Sequence, residues 1–373
     1  MAKQLSTLHD VLIVCPPGLE NILEEEIRNL GIRHSQIQKG GVSGRLTMRE
    51  IYAGNIFLRT ATRILVRIAR FEARTFSELE NQIEQINWRQ WVGDEKTCRF
   101  RVTTRSSKLW HSDAISERFS NMFGTENATD DDQLFVVRAV GDSFIVSIDS
   151  SGKPLHERGW RQELAKAPLR ESIAAGMLIA SKWTPASPLV DPMCGSGTIV
   201  IEAALNSINR SPGLGRDMAF QHWPCFEPGT FASVTAEAKE KEKKLFQKPL
   251  ILASDRDSGA LAAAQSNAAR AGVEEIIDWQ NIAISNLLPP EASKMAGLIL
   301  TNPPWGGRLS PKSDLRNLYA TIGKVARQRF HGWQLGLLVG DRSLARQIRP
   351  GLKEDLRLEV GGKRSWFLTG EVN

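Results

Sequence analysis

Three short segments of this chain carry residue types and spacings able to hold a small ligand beside a planar amine. The first is Asp191-Pro192-Met193-Cys194-Gly195-Ser196-Gly197-Thr198, lying between a short apolar run at 188–191 and a helical pattern at 198–205. Gly195 and Gly197 let the backbone approach a ligand with no Cβ in the way, and Asp191, Pro192, Cys194 and Thr198 complete the turn. It has neither GxGxxG nor a Gly-Lys-Ser/Thr ending, so a dinucleotide or nucleoside triphosphate fits poorly. The second segment, Leu252-Ala253-Ser254-Asp255-Arg256-Asp257, ends the next strand. A carboxylate there can accept both hydrogens of a ribose diol. Asp255 comes first after the apolar run and is the candidate, with Arg256 beside it; Asp257 reads as the N-cap of the helix at 259–271.

The third segment is Thr301-Asn302-Pro303-Pro304-Trp305-Gly306, following Leu298-Ile299-Leu300. Two prolines stiffen the backbone, fixing a carbonyl and the Asn302 amide oxygen in one place. Two fixed acceptors hold an NH2 group by both hydrogens and turn its lone pair toward an incoming methyl, so positioning supplies much of the rate. Trp305 offers a flat face for a base. Asn302, Pro303 and Trp305 are the candidate catalytic residues, and Asn302 also counts toward the ligand site of the first two segments.

These segments need strands to end on and helices to start from. From residue 168 onward, apolar strands at 188–191, 250–253, 276–284, 297–300 and 335–339 alternate with helical patterns at 198–205, 259–271 and 315–329. That alternation predicts an α/β, doubly wound sheet with its ligands beyond the carboxyl ends of the strands. The stretch 211–248, rich in Pro, Gly and aromatic residues before a charged helix, reads as an insertion near the site. The first 160 residues read as α+β: strands at 11–15, 44–46, 64–71, 99–103, and a hairpin of 134–139 and 143–149 around Gly141-Asp142, with helices at 19–30, 48–61 and 77–86. Residues 151–170 form a connector.

Composition excludes several classes. No stretch approaches the ~18 apolar residues of a membrane span, and Met1-Ala2-Lys3-Gln4-Leu5-Ser6 lacks a signal peptide's layout. Cys15, Cys98, Cys194 and Cys225 have no CxxC spacing, and the six histidines form no ligand cluster, so neither zinc nor a disulfide frame is expected and the setting reads as cytoplasmic. No cysteine lies in 302–305, which disfavours covalent methylation of a pyrimidine ring. Residues 1–160 hold 21 basic and 21 acidic residues, so the whole net charge of +6 belongs to 161–373. Arg99, Arg101 and Arg105 alternate on one strand face, with Lys108 and Trp110 just beyond, and Arg63, Arg67, Arg70 and Arg74 form a second basic set. Such surfaces suit looped or single-stranded RNA.

In sequence order, the three segments resemble the amino-methyltransferase branch of the Rossmann-like methyltransferases. The closer resemblance is to the THUMP-containing guanine-N2 RNA methyltransferases, especially the bacterial 23S rRNA enzymes. It also rests on Ala167-Pro168-Leu169-Arg170-Glu171-Ser172, Ile201-Glu202-Ala203-Ala204 and Arg308-Leu309. In the N-terminal half it rests on Pro17-Gly18-Leu19-Glu20, Gly40-Gly41-Val42 and Leu155-His156-Glu157-Arg158-Gly159-Trp160-Arg161. The resemblance implies a ferredoxin-like part at 1–60, a THUMP RNA-binding domain at 61–160 and a Rossmann-like methyltransferase domain at 161–373. It also implies S-adenosylmethionine at Asp191, Gly195, Gly197 and Asp255, a target amine at Asn302, Pro303 and Trp305, and no metal. Glu171 and Arg170 stand either beside the donor or as a helix-starting pair. The chain departs from the family pattern at Trp305, where Tyr or Phe is usual, and at Asn281-Ile282-Ala283-Ile284, where an adenine-binding Asp often stands. The implied reaction is methylation of guanine N2, in 23S rRNA first and tRNA second. Adenine-N6 methylation, protein glutamine methylation and a non-catalytic RNA-binding assembly factor are the competing readings.

Overall fold

The computed structural model describes residues 7–93, 97–123, 128–163, 169–243, 248–291, 295–306, 312–348 and 351–373. Ala167 and Pro168 of the connector motif, and Arg308 and Leu309 after the third segment, lie outside the described residues.

In the N-terminal half, period-two alternation of apolar residues builds β1 (His9–Val14), β2 (Ser35–Gln38), β3 (Gly41–Leu46), β4 (Arg63–Glu72), β5 (Cys98–Arg105), β6 (Gln133–Val140) and β7 (Ser143–Asp149). They form one seven-stranded sheet of order β2-β3-β1-β4-β7-β6-β5, antiparallel except for β5 beside β6. β4 is shared, pairing with β1 on one side and β7 on the other, so the sheet runs unbroken through residue 60. Its core face takes α1 (Glu20–Asn29), α2 (Met48–Phe57), α3 (Phe76–Glu84) and α4 (Ser112–Phe123), through buried residues such as Leu23, Ile51, Leu79 and Phe119. α2 starts where Thr47 and Glu50 cap each other's backbone amides. α4 escapes the sequence reading because only Ile115 and Phe119 of its length are buried.

The C-terminal half forms the expected doubly wound sheet from β8 (Leu189–Asp191), β9 (Ile251–Ser254), β10 (Ile277–Gln280), β11 (Leu298–Thr301), β12 (Gln334–Val339), β13 (Lys353–Val360) and β14 (Lys363–Glu371). The order is β10-β9-β8-β11-β12-β14-β13, with the first five parallel and the β13–β14 hairpin antiparallel at the edge. The order reverses at β8, which makes the ends of β8, β9 and β11 the switch point. Helices α5 (Glu171–Ala180), α6 (Thr198–Ser207), α7 (Pro228–Lys241), α8 (Ser258–Ala271), α9 (Lys312–Arg329) and α10 (Arg342–Ala345) complete this half. Among the described residues, no helix is long and apolar enough to cross a membrane.

The insertion does not sit at the site as the sequence suggested; it clasps the N-terminal half. Gly213 N donates to Ile56 O at 3.0 Å, Phe220 N to Ser150 O at 3.1 Å, and Trp223 Nε1 to Gln133 Oε1 at 2.9 Å. Phe220 stacks on Tyr52 with ring centroids 4.4 Å apart, and Arg49 on α2 pairs with Glu237 on α7 at 2.8 Å. Burying such large rings outweighs local preference and draws the segment away from the sheet edge. The connector motif is a second joint. Arg158, buried, reaches Glu202 on α6 and the carbonyls of Leu155 and Arg59, while Arg161 pairs with Glu171 at 3.2 Å.

Candidate donor and amine site

The three motifs converge because their strands are neighbours. β9, β8 and β11 lie side by side and parallel, so Asp255, Asp191 and Thr301 leave the sheet at its carboxyl edge.

The loop after β8 is a closed polar network. Met193 N donates to Asp191 Oδ1 at 3.2 Å, and Gly195 N to Asp255 Oδ2 at 3.0 Å. Asp255 Oδ1 accepts from Asp257 N at 2.9 Å, which leaves each Asp255 oxygen a lone pair for a ligand hydroxyl. Cys194 N donates to Ser254 O at 3.0 Å, and Gly197 N to Cys194 O at 2.8 Å. Gly197 opens α6 at φ 84°, and a Cβ there would come 3.0 Å from Ala264 Cβ, so a side chain would strain the turn and wedge α6 off α8. Asn267 on α8, fully buried, donates to Ser196 O at 3.1 Å and accepts from Gln162 N and Glu163 N, both at 3.2 Å. It straps the connector to the glycine turn. The sequence reading passed over Asn267, though a lone asparagine inside the alanine-rich run of α8 was the available signal.

Asp191 is 1% exposed, and burial pushes its carboxyl up to about 7; the neighbouring Asp255 adds to the rise while Thr301 and the Met193 amide oppose it. A buried acid of this kind is matched by a cationic ligand, which favours its ionised form. Burial also holds the Cys194 thiol far above its ordinary range, so it remains a neutral thiol. Pro192 and Thr198 are buried beside it, and Arg256 is exposed at the rim. Asp257 caps α8 through Gly259 N and Ala260 N. Arg170 is the N-cap of α5, and Glu171 is buried with its carboxyl pushed up to about 7 by desolvation, against the pull of Arg161. Asn281 Nδ2 donates to Asp255 O at 2.8 Å, and Ala283 precedes the 3-10 turn Ile284–Asn286.

The loop after β11 is built differently. Its backbone is clamped from two sides: Tyr319 on α9 donates its hydroxyl to Pro304 O at 3.2 Å, and Trp305 Nε1 donates to Leu338 O of β12 at 2.9 Å. The indole lies against Gly340, where an added Cβ would come 2.7 Å from Trp305 Cε3. Within this rigid frame Asn302 Oδ1 is buried with no hydrogen-bond partner among the described residues. Leaving a buried acceptor unmade costs about 1–3 kcal/mol, so the position is poised for an incoming N–H. Tyr319, Leu338 and Gly340 were not singled out from sequence; a buried tyrosine must spend its hydroxyl somewhere, and that was the legible hint.

The nucleic-acid candidates fall on the N-terminal sheet. Arg101, Arg105 and Lys108 are exposed, whereas Arg99 pairs with Asp130 at 3.1 Å. In the second set Arg63 pairs with Asp149 and Arg74 with Asp142, while Arg70 is exposed and Arg67 half-buried.

Residues 158–360 match the family model described as RMKL-like, methyltransferase domain, and residues 10–65 match the one described as RlmL ferredoxin-like domain. A candidate RNA methyltransferase of Synechocystis sp. is 32% identical over 355 residues, covering 92% of this chain and 91% of that protein. The ribosomal RNA large subunit methyltransferase K/L of Syntrophotalea carbinolica is 34% identical over 351 residues, covering 89% of this chain. This chain spans about half of that relative, 49% of its length. Among solved structures, SMU.472, a candidate methyltransferase complexed with S-adenosylhomocysteine, superposes with a TM-score of 0.87 at 27% identity, over 99% of each chain.

Proposed function

The chain belongs to the RMKL-like methyltransferase family, and from that premise we propose that it methylates N2 of a guanine in RNA, with 23S rRNA as the substrate. S-adenosylmethionine supplies a sulfonium-bound methyl group for attack by a nitrogen lone pair. Asp255 and the Gly195–Gly197 turn hold the nucleoside part of the donor, and the buried Asp191 answers its positive charge. Pro192, Cys194, Thr198 and Arg256 shape and rim this cradle. Asn302 Oδ1 and the Pro303 carbonyl accept the two amine hydrogens, which aims the nitrogen lone pair across the gap between the two loops. As the C–N bond forms and the C–S bond breaks, the donor would leave as S-adenosylhomocysteine, and the proton lost from nitrogen would pass by way of the Asn302 and Pro303 oxygens to water. Trp305 supports the base plane.

The observation that carries this reading is the unpartnered Asn302 oxygen in a loop otherwise pinned at Pro304 and Trp305. An acceptor left open in a rigid frame fits a primary amine on a planar ring. The relative from Syntrophotalea carbinolica, named for the large-subunit ribosomal RNA, supports the choice of rRNA. We assign RNA contacts to Arg99, Arg101, Arg105 and Lys108 in a THUMP-like unit at 61–160, preceded by the ferredoxin-like part at 1–60 and followed by the catalytic domain at 161–373, and we assign the work to the cytoplasm. The test is nucleoside mass spectrometry of 23S rRNA and tRNA from cells with and without the gene. Loss of N2-methylguanosine from 23S rRNA, restored by wild type and not by Asn302→Ala, is expected. Loss confined to tRNA would keep the chemistry and replace the substrate. N6-methyladenosine loss would replace the target base.

A further inference from the structure

The N-terminal half carries equal numbers of basic and acidic residues, yet its sheet sorts them by face. Along β4, β6 and β7 the core side holds Val66 with the partly buried Ala69 and Phe71, then Phe135, Val137 and Ala139, then Phe144, Val146 and Ile148. The register therefore fixes what the other side presents. Thr103 of β5 lies opposite Arg138 of β6, which lies opposite Ile145 of β7, which lies opposite Arg70 of β4. The next row is Arg101, Val136, Ser147 and Arg67, and the row on the other side is Arg105, Val140, Ser143 and Glu72. Two basic sets that are some 35 residues apart in sequence thus share one face, and Arg138 stands between them.

Arg67, Arg70, Arg101, Arg105 and Arg138 have no carboxylate partner among the described residues, whereas Arg63, Arg74 and Arg99 are spent on Asp149, Asp142 and Asp130. Glu72 is the one unspent acid in those three rows. Arginines two residues apart on a strand are about 7 Å apart, and neighbouring strands are about 5 Å apart. Five unspent guanidiniums so spaced, with Val136, Ile145 and Val140 as a flat apolar floor, match a chain of phosphates carrying bases. Trp110, beyond the end of β5, is tied by its carbonyl to Thr104 Oγ1 at 2.7 Å, and Thr104, opposite Ala139, is on the core side of the strand, so this ring is tethered on the helix side of the sheet. The apolar floor can meet the faces of unpaired bases, which a duplex keeps stacked inside.

We infer that this open sheet face is a phosphate track for unpaired RNA, with Arg67, Arg70, Arg101, Arg105 and Arg138 along the backbone and the bases over Val136, Ile145 and Val140. The inference rests on the reading that the substrate is RNA and deepens it by naming the surface and the form of RNA. It shifts the contact set away from Arg99 and toward Arg138.

The test uses the full chain and fluorescence anisotropy with a labelled oligouridylate, a blunt RNA duplex and phosphatidylserine-containing vesicles, across about 50 to 200 mM salt. Combining Arg70→Gln, Arg101→Gln and Arg138→Gln should weaken oligouridylate binding at least tenfold and lower the slope of log affinity against log salt by about 2, at about 0.7 per phosphate contact. Arg45→Gln, on β3, should change neither. The wild-type chain should bind oligouridylate more tightly than the blunt duplex, whose bases cannot reach the apolar floor. If the triple variant does not fold, as judged by lost binding of S-adenosylhomocysteine, the three single variants should each lower the slope by about 0.7. Unchanged affinity and slope in the arginine variants would overturn the track. Equal wild-type affinity for duplex and oligouridylate would overturn the preference for unpaired RNA. Arginine-dependent binding to vesicles in place of RNA would reassign the face to a membrane. Wild type binding no RNA at all would strike the substrate reading itself, a result distinct from wild-type binding that ignores these arginines.

Discussion

The loops after β8 and β11 leave neighbouring strands of one sheet, yet they are stabilised in opposite ways. In the β8 loop Asp191, Cys194, Gly195, Ser196 and Asp255 are joined by hydrogen bonds to one another, to their neighbours or to Asn267, so the turn is self-supporting before any ligand arrives. In the β11 loop the anchors lie outside the segment, on α9 and β12, and the one side-chain acceptor within it is left open. The contrast separates holding from reacting. A cradle that satisfies its own backbone can bind a donor with little reorganisation. A frame clamped from outside can carry one unsatisfied oxygen, whose pairing, in the proposed reaction, is completed only when the amine arrives.

The largest effect should come from the open acceptor. Asn302→Ala is expected to lower single-turnover methyl transfer roughly 100- to 1000-fold, the scale for removing one preorganised polar group at a reacting centre. Donor affinity by calorimetry should stay within about twofold, because the β8 network does not use this side chain. A parallel fall in donor affinity would erase the division between the loops. Asp255→Ala should do the reverse. It removes a charged acceptor and frees the Gly195 and Asp257 amides, so donor binding should weaken about ten- to hundredfold, while kcat at saturating donor changes much less.

The Asp191 carboxyl sharpens the same comparison through pH. Its folded value, about 7, lies above the ordinary 3.8, so protonation favours the folded free protein. That stabilising contribution is complete below the ordinary value and is lost as pH rises through about 7. A cationic donor prefers the ionised form, so its affinity should rise about tenfold between roughly pH 6 and 8. Asp191→Asn should flatten both trends, as read by thermal unfolding and donor calorimetry across that range. A pH dependence that survives in Asp191→Asn would assign it to another group.

The sequence revealed the parts whose signals are local. Parallel strands buried on both faces appear as continuous apolar runs, which is why the runs at 188–191, 250–253, 297–300 and 335–339 lie within a residue or two of β8, β9, β11 and β12. Lys353–Val360, by contrast, alternates charged and apolar residues as an edge strand does, and nothing in its composition separates it from a solvated loop. The insertion was misjudged for a different reason. Its partners, Tyr52, Ile56, Gln133 and Ser150, are distant in sequence, and burial of Phe220 and Trp223 among them is a tertiary fact. Asn302 was legible as an acceptor, but its lack of a partner was not, because an unmade bond leaves no pattern in a sequence.

The clamps on the β11 loop give the smallest and most discriminating test. Trp305→Phe keeps an aromatic ring and removes the indole N–H, leaving the buried Leu338 carbonyl without that donor. Tyr319→Phe removes the hydroxyl that reaches Pro304 O, but Pro304 is exposed and water can replace the bond. A net hydrogen bond contributes about 0.5–1.5 kcal/mol, so each change should lower kcat about two- to tenfold, with Trp305→Phe the more severe of the two. Because both act by loosening the frame around Asn302, combining either with Asn302→Ala should add little further loss. If Trp305→Phe instead raised KM for RNA and left kcat intact, the indole would act only as the face that supports the base, and its bond to β12 would be incidental to turnover.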